Sequence, residues 1–124
     1  MQDAALVFTL VRARISDSDK KYSDSDTSAS AIAICGILEM AKYLEKEKAQ
    51  VYLAAADRML KALTDICVNK DCKKSNGLLL HGTYARNSKE NTCINRGVDE
   101  CNTWGDYFYM EALTRLSKDW ELYW

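Results

Sequence analysis

The segment CNTWGDYFYMEALTRL, Cys101–Leu116, carries large apolar or aromatic side chains on almost every side of a helix. A surface helix normally shows one apolar stripe and one polar face. Here only Glu111, Thr114 and Arg115 interrupt the bulk that begins at Tyr107. Such a helix has to be enclosed by others, because each large side chain left in water forfeits about 1.5–3 kcal/mol of burial. The segment therefore predicts an inner helix, over Thr103–Lys118.

A second segment, SASAIAICGILEMAKYLEK, is also apolar almost all round. It follows the polar run SDSDKKYSDSDTSAS, in which Asp26 or Thr27 can cap the first turn of a helix. Its small residues, among them Gly36, would let neighbouring backbones approach closely. We expect a second inner helix over Asp26–Glu45.

The third helical segment, KAQVYLAAADRMLKALTDICV, is amphipathic and predicts an outer helix over Lys48–Val68. Its apolar stripe consists of Tyr52, Ala55, Ala56, Met59, Leu60, Leu63 and Cys67. With no proline and five glycines in 124 residues, the chain predicts an all-α fold in which strands are absent or marginal.

One outer helix cannot cover the apolar surface of two inner helices. We therefore expect the chain to expose a large apolar surface along Ala29–Leu44 and Trp104–Trp120. Such a surface favours association.

The charge balance argues against two classes of partner. With 17 basic and 18 acidic residues the net charge is −1, which predicts neither a nucleic-acid-binding nor a membrane-binding protein. The most apolar run, Ala29–Leu44, is interrupted by Glu39 and Lys42 and is shorter than a membrane span. The opening residues give little support for a signal peptide.

Five cysteines and a single histidine support neither a disulfide framework nor a metal site. Cys35, in a run of Ala and Ile, reads as a small buried hydrophobe, which fits a reducing compartment. We expect no metal, no cofactor and a cytoplasmic location.

The long connection from Asn69 to Asn102 separates the outer helix from the last inner helix. A structureless connection of this length is uncommon in a compact domain and is usually functional or disordered. We favour a functional loop.

Four blocks, DTSASAIAICGILEMAKYL, GLLLHGTY, GVDECNTWGDYFYMEALTRL and KDWELYW, occur here in this order. Together they resemble the C-terminal third of the unsaturated glucuronyl hydrolases, glycoside hydrolase family 88, and most of all the streptococcal and other Gram-positive members. The resemblance covers residues 26–124 and leaves residues 1–25 as a poorly matched N-terminal stretch. It implies part of an (α/α)6 barrel, whose other helices would enclose the two inner ones.

The resemblance also implies an activity. Family members release 4,5-unsaturated uronic acid from glycosaminoglycan fragments that lyases have produced. An aspartic acid protonates the vinyl ether and helps to activate water, and the hydrated product collapses to release the sugar. The family's two important aspartates lie upstream of the matched region, so we assign no catalytic residue to this chain.

The same resemblance implies a substrate-facing loop after HGTY. Tyr84 and side chains just beyond it would face an unsaturated oligosaccharide. Some members have a Ser-x-x-Ser-x-Lys arrangement suited to a sulfated sugar; here Ser88 matches the second serine, the first position is Ala85, and the lysine is displaced to Lys89. The residues KENTCINR are additional.

Several side chains have a structural as well as a functional interpretation. His81 could touch substrate, but a loop histidine ordered by backbone hydrogen bonds is the preferred reading. Asp99, Glu100 and Asp106 could form an acidic cluster for acid–base work, but Asp106 precedes a helix and is expected to cap it or to brace a neighbouring loop. Trp104 and Tyr107 could stack on a sugar, although their helical spacing favours core packing.

Two functions follow as hypotheses. The first is a part of a uronic-acid-releasing hydrolase that binds the missing N-terminal part of the barrel or associates with itself. The second is a small helical interaction module without catalytic activity.

Overall fold

A computed structural model describes residues 26–73, 75–85 and 89–122 of the chain. The stretch 1–25 and Ser88 lie outside these residues. Helix α1 spans Thr27–Ala41, α2 spans Lys46–Ala62 and α3 spans Thr103–Ser117. A π-helical turn, Leu63–Cys67, continues α2. Each predicted helix is therefore confirmed, and when the π-helical turn is counted with α2 the ends differ by up to four residues.

Side-chain caps define where the two inner helices begin. The Asp26 carboxylate accepts a hydrogen bond from the Ser28 amide at 3.0 Å, at the start of α1. At the start of α3 the Asn102 side chain accepts from the Gly105 amide at 2.7 Å. Each cap satisfies an amide that the helix itself leaves without a partner. Thr27 has another role, because its hydroxyl donates to the Leu80 carbonyl at 2.6 Å.

Helices α1 and α3 lie side by side and parallel. Near their first turns the Trp104 indole donates to Ser28, and near their last turns Arg115 binds Glu39. Helix α2 follows α1 after a short turn, and Thr64 in its π-helical extension shares a 2.8 Å hydrogen bond with the Tyr109 hydroxyl of α3. Two parallel inner helices are thus backed by an outer one.

The core lies where these three helices meet. Its buried members are Ala31, Ile34, Cys35, Leu38, Ala56, Met59, Leu60, Leu63, Leu79, Tyr109 and Ala112. Cys35 is a small buried residue, as predicted, and its thiol donates to the Phe108 carbonyl at 3.3 Å. Burial, together with the charge of Glu111, raises the pKa of this thiol to about 12, so it stays protonated and unreactive.

One sequence prediction about packing is wrong: Tyr52 is exposed instead of belonging to the buried stripe of α2. Trp104 and Tyr107 are nearly half exposed, as expected for the surface along Trp104–Trp120, and their packing into an enclosed core stays a prediction.

The inner helices expose apolar stripes, as predicted. Apart from Trp104, which lies beside the loop, the exposed residues are Ala29, Ile32, Ala33, Gly36 and Met40 on α1, and Tyr107, Met110, Leu113 and Leu116 on α3. We call these two sets the open stripes. Both would lose free energy by remaining in water.

Strand structure is marginal in the described part of the chain, as expected. It is confined to the isolated antiparallel bridges Val68–Leu79 and Gly82–Glu100. Among the helices of these same residues, none is long and apolar enough to cross a membrane.

Candidate substrate-facing site

The long connection is closed at its base by a short antiparallel pairing. Gly82 and Glu100 exchange two backbone hydrogen bonds, of 2.7 and 2.8 Å, and the Tyr84 amide donates to the Gly97 carbonyl at 2.9 Å. We call the paired segments 82–85 and 97–100 the clamp. The clamp holds Tyr84 and Ala85 in place, while the additional residues KENTCINR lie between its two sides.

Two glycines allow the clamp to close. Gly97 has φ +92°, and a Cβ atom there would lie 2.7 Å from the Cβ of Ala85. At Gly82 a Cβ atom would lie 2.8 Å from the Glu100 carbonyl oxygen. Any side chain at these positions would push the two segments apart, and at Gly97 the backbone angle also favours glycine.

The Tyr84 hydroxyl is held from two sides. It donates to the Glu100 carboxylate at 2.6 Å and accepts from the Asn91 side-chain amide at 3.2 Å. Hydrogen bonding with the Cys93 side chain, and then with Glu100, raises the pKa of Tyr84 to about 12. The hydroxyl is therefore neutral at physiological pH, and it serves as a fixed polar group and not as a base.

Trp104 lies beside Tyr84 at the start of α3. The two ring centroids are 5.5 Å apart and the ring planes meet at 84°, an edge-to-face arrangement. The Trp104 indole donates to the Ser28 hydroxyl at 3.2 Å, and that hydroxyl donates to Asp26 at 2.6 Å. An exposed aromatic pair thus lies where the loop meets the first turns of both inner helices.

Asp106 braces the loop, which confirms the structural interpretation of this residue. Its two carboxylate oxygens accept hydrogen bonds from the Leu79 and Leu78 amides, at 2.7 and 2.9 Å. The helix cap belongs to Asn102 instead. Because both oxygens already bind amides, the carboxylate is not arranged as a proton donor to substrate.

His81 is fixed at the base of the loop. Its carbonyl accepts from the Thr27 amide at 3.2 Å, and its Nδ1 lies 2.6 Å from a carboxylate oxygen of Asp99. Both residues have left-handed backbones, with φ of 65° and 57°. The backbone bond agrees with the interpretation of His81 as an ordered loop residue; the Asp99 partner could not be identified from sequence. Contact of His81 with substrate stays a prediction.

Of the other two predicted site residues, Lys89 and Ser88, the structure describes only Lys89. Lys89 is exposed beyond the first side of the clamp. Since Ser88 is not among the described residues, the expected pair of serine and lysine cannot be placed together. Within the described ranges, no three side chains of the metal-binding types converge.

Sequence reasoning missed the residues that position the aromatic pair. Asn91 and Cys93 belong to the additional segment, Ser28 is part of a longer matched block, and Glu100 is a member of the candidate acidic cluster, where its bond to Tyr84 could not be foreseen. A Ser two residues after a capping Asp was one available indication, because a hydroxyl there can bond back to the capping carboxylate.

Two parallel inner helices, an outer helix and a loop-borne site at the inner helices' first turns are elements of an α/α barrel enzyme. The chain is 48% identical over 109 residues to the unsaturated chondroitin disaccharide hydrolase of Streptococcus pyogenes serotype M1. The matched region covers 86% of this chain and 26% of that protein. No family model matches this chain.

Solved structures agree with this similarity. The unsaturated glucuronyl hydrolase of Streptococcus agalactiae matches with a TM-score of 0.72 and 45% identity, over 86% of this chain and 27% of that one. The unsaturated glucuronyl hydrolase of Bacillus sp. GL1, responsible for the degradation of glycosaminoglycan, matches with a TM-score of 0.66 and 32% identity, over 85% and 26%. The chain is therefore a relative of the unsaturated glucuronyl hydrolases, and it corresponds to the C-terminal portion of their α/α barrel. It spans about a quarter of the length of these relatives.

Proposed function

We propose that the chain is the C-terminal part of a glycoside hydrolase that releases 4,5-unsaturated uronic acid from lyase-generated glycosaminoglycan oligosaccharides. The observation that carries this proposal is the clamp, which holds Tyr84 next to the exposed Trp104 in the segment that is similar to unsaturated chondroitin disaccharide hydrolases. A packing module has no need of a long loop that holds an exposed tyrosine against a tryptophan of α3.

In this proposal the chain binds substrate but performs no proton transfer. Tyr84, Ser88 and His81, with a weaker contribution from Lys89, contact the unsaturated oligosaccharide. The described carboxylates around them are already engaged: Glu100 by the Tyr84 hydroxyl, Asp99 by His81, and Asp106 by two backbone amides. General acid–base catalysis requires a donor within reach of the reacting atom, and the resemblance assigns that donor to aspartates upstream. The chain alone is thus inactive.

The open stripes supply the surface through which the rest of the barrel is bound. The exposed side chains of α3, of which Met110 is 58% and Leu116 is 51% exposed, have the apolar character of a domain core cut open. Helices from the missing N-terminal part of the barrel cover them in the active protein. In the absence of that part, the stripes drive self-association.

The proposal includes a cytoplasmic location and no nucleic-acid or membrane partner. All five cysteines are free, which fits a reducing compartment, and the net charge is −1. Recovery of the native protein mainly from a secreted fraction would contradict this part of the proposal.

Reconstitution tests the activity. The chain is co-expressed with the upstream portion of the Streptococcus pyogenes relative, truncated where its similarity to this chain begins. The loss of enol-ether ultraviolet absorbance from an unsaturated chondroitin disaccharide is then followed. We expect turnover from the complex and none from either part alone. Turnover by the pure chain would show that a catalytic acid lies within it, and Asp99 and Asp106 would then be mutated first.

Matched variants identify the loop's contribution. Tyr84→Ala and Ser88→Ala should raise KM more than they lower kcat, because they remove binding that substrate and transition state share. Ile94→Ala, at a 98% exposed position of the same loop, serves as the control. An equal effect of all three variants would contradict the assignment of the site.

The alternative function, a small helical interaction module, is favoured only by the open stripes. It predicts a stable complex with the upstream portion, or with a second copy, that never turns over the disaccharide. A complex that binds the disaccharide through Tyr84 would exclude it.

A further inference from the structure

We infer that Asp26 and Ser28 are positioning residues that hold the Trp104 indole against Tyr84, and that the two rings form an aromatic corner for the C–H face of a sugar ring. The substrate side of this inference rests on the proposed function. The positioning side rests on the described contacts alone.

The first step is a chain of two hydrogen bonds that runs from the Trp104 indole through Ser28 to Asp26. The Trp104 Nε1 donates to the Ser28 Oγ at 3.2 Å, and that Oγ donates to the Asp26 Oδ1 at 2.6 Å. Ser28 is 2% exposed, so water cannot replace its hydroxyl without rearrangement. The indole is consequently oriented from beneath by a buried group.

The second step anchors this chain to the loop. The same Asp26 oxygen also accepts the Thr83 amide at 3.2 Å and the Ser28 amide at 3.0 Å. Thr83 precedes Tyr84, which is the other ring of the pair. A single carboxylate oxygen therefore fixes the start of α1, the ring on α3 through Ser28, and the loop residue next to Tyr84.

The third step concerns the parts of the two rings that a ligand can contact. Trp104 is 43% and Tyr84 is 37% exposed, while the indole N–H and the tyrosine hydroxyl are both bound within the protein. What remains for a ligand is ring faces and C–H edges. Such surfaces take apolar contacts, and the 84° angle between the planes gives a corner into which one face of a pyranose ring fits.

Tyr107, one turn further along α3, provides a useful contrast. It is also nearly half exposed, but its ring packs edge-to-face on Phe108 of the same helix and touches no described loop residue in a ring contact. We assign Tyr107 to the open stripe that the rest of the barrel covers, and Trp104 to the saccharide.

The positioning role is tested on the chain itself by NMR. The Trp104 indole N–H, identified by its loss in Trp104→Phe, should exchange slowly with water in the native chain. Ser28→Ala should accelerate this exchange about tenfold or more, and Ser28→Thr, which keeps the hydroxyl, should preserve it. Ser30→Ala, at another buried serine of α1, is the folding control. Exchange that is unchanged in Ser28→Ala, with the control also unchanged, would overturn the positioning role.

The saccharide corner is tested in two ways. Adding the unsaturated chondroitin disaccharide to the chain should shift the Trp104 indole resonance more than those of the other two tryptophans. In the reconstituted complex, Trp104→Leu and Ser28→Ala should raise KM about 3–10-fold with little change in kcat, whereas Ser28→Thr should restore it.

The outcomes separate this inference from the proposed function. Absence of turnover in the unmodified complex, with the Trp104 resonance still shifted by the disaccharide, contradicts the activity and leaves the corner standing. Unchanged KM in Trp104→Leu, or no resonance shift in the chain, overturns the corner and makes Trp104 part of the packing surface.

Discussion

The two ends of the α1–α3 pair use polar side chains in opposite ways. At the first turns, Asp26, Ser28 and Asn102 satisfy amides and orient exposed rings. At the last turns, Arg115 lies between Glu39 and Glu111, with nitrogen–oxygen distances of 2.7 and 2.8 Å. The first end leaves two aromatic rings exposed, whereas the second joins the helices.

The polar side chains at the last turns join the helices because they are buried. The Arg115 side chain is 5% exposed and that of Glu111 is 2% exposed, so both charges depend on each other for compensation. Arg115 also lies 5.2 Å from the ring centroid of Trp120, which ties the segment after α3 to the same cluster. We call Glu39, Glu111, Arg115 and Trp120 the charged lock. The comparison teaches that buried charges hold the helices together at their last turns, whereas polar groups at the first turns orient rings that stay exposed.

The largest effect is expected from breaking the charged lock. Arg115→Met leaves Glu111 buried without its cation, which should lower the free energy of unfolding by about 3–5 kcal/mol. The measurement is urea unfolding followed by circular dichroism. Lys42→Met is the matched control, because Lys42 binds Glu39 at 2.9 Å from a position that is 46% exposed, and should cost about 0–1 kcal/mol. Equal losses in the two variants would show that burial does not set the strength of the lock.

A smaller effect is expected from opening the clamp at the other end. Gly97→Ala introduces a Cβ into a left-handed position and against Ala85, and should cost about 1–3 kcal/mol. The loss should be local: proteolysis of the loop should accelerate while the α1–α3 contacts persist. Ala85→Gly, which removes the clashing methyl group, should partly rescue the variant. If rescue fails, the left-handed backbone angle or the contacts of the new Cβ with the Ala85 backbone oxygen and nitrogen, at 2.8 and 2.9 Å, are responsible and not the Ala85 methyl group.

Acid should affect the charged lock first. Hydrogen bonds from Lys42, and then from Arg115, hold the pKa of Glu39 below the ordinary glutamate value. A depressed folded-state pKa contributes stability that is present above the unfolded-state value, roughly 4.3, and is lost as the pH falls through the folded-state value. Glu39→Gln should therefore flatten the acid side of the stability profile. An unchanged acid side would remove Glu39 from the explanation.

Alkali should affect the site end, with the smallest effect on stability. The raised pKa of Tyr84, about 12, contributes stability that is complete below the unfolded value of roughly 10 and is lost as the pH rises towards 12. An ultraviolet titration should show one tyrosine ionising late, and this step should disappear in Tyr84→Phe. A late step that persists in Tyr84→Phe would assign it to Tyr107, whose pKa is also raised, mainly by burial.

Much of the helical scaffold could be predicted from residue patterns. The nearly all-round apolarity of the segments around Ile34 and Tyr109 correctly indicated inner helices, and the polar positions of α2 correctly indicated an outer one. The capping role of Asp26 followed from its place before an apolar run. These features are local, and sequence spacing records local geometry directly.

The site could be predicted less completely, because it depends on residues far apart in sequence. Ser28 and Trp104 are separated by 76 positions, and nothing in their own segments announces the hydrogen bond between them. The helical spacing of Trp104 is that of a core residue, yet its ring is 43% exposed within the described chain. Spacing shows that a face is apolar, but not what covers it.

The clamp also allows the sequence of the loop that it closes to change during evolution. Because Gly82 and Glu100 join at its base, the span that the intervening segment has to bridge is the same whatever its length. The entropic cost of a longer loop grows slowly, by about 0.6 kcal/mol for each doubling. Additions such as KENTCINR can therefore accumulate, and be exchanged between homologues or by grafting, while the helices below keep their packing. In this way specificity can diverge without the fold being rebuilt.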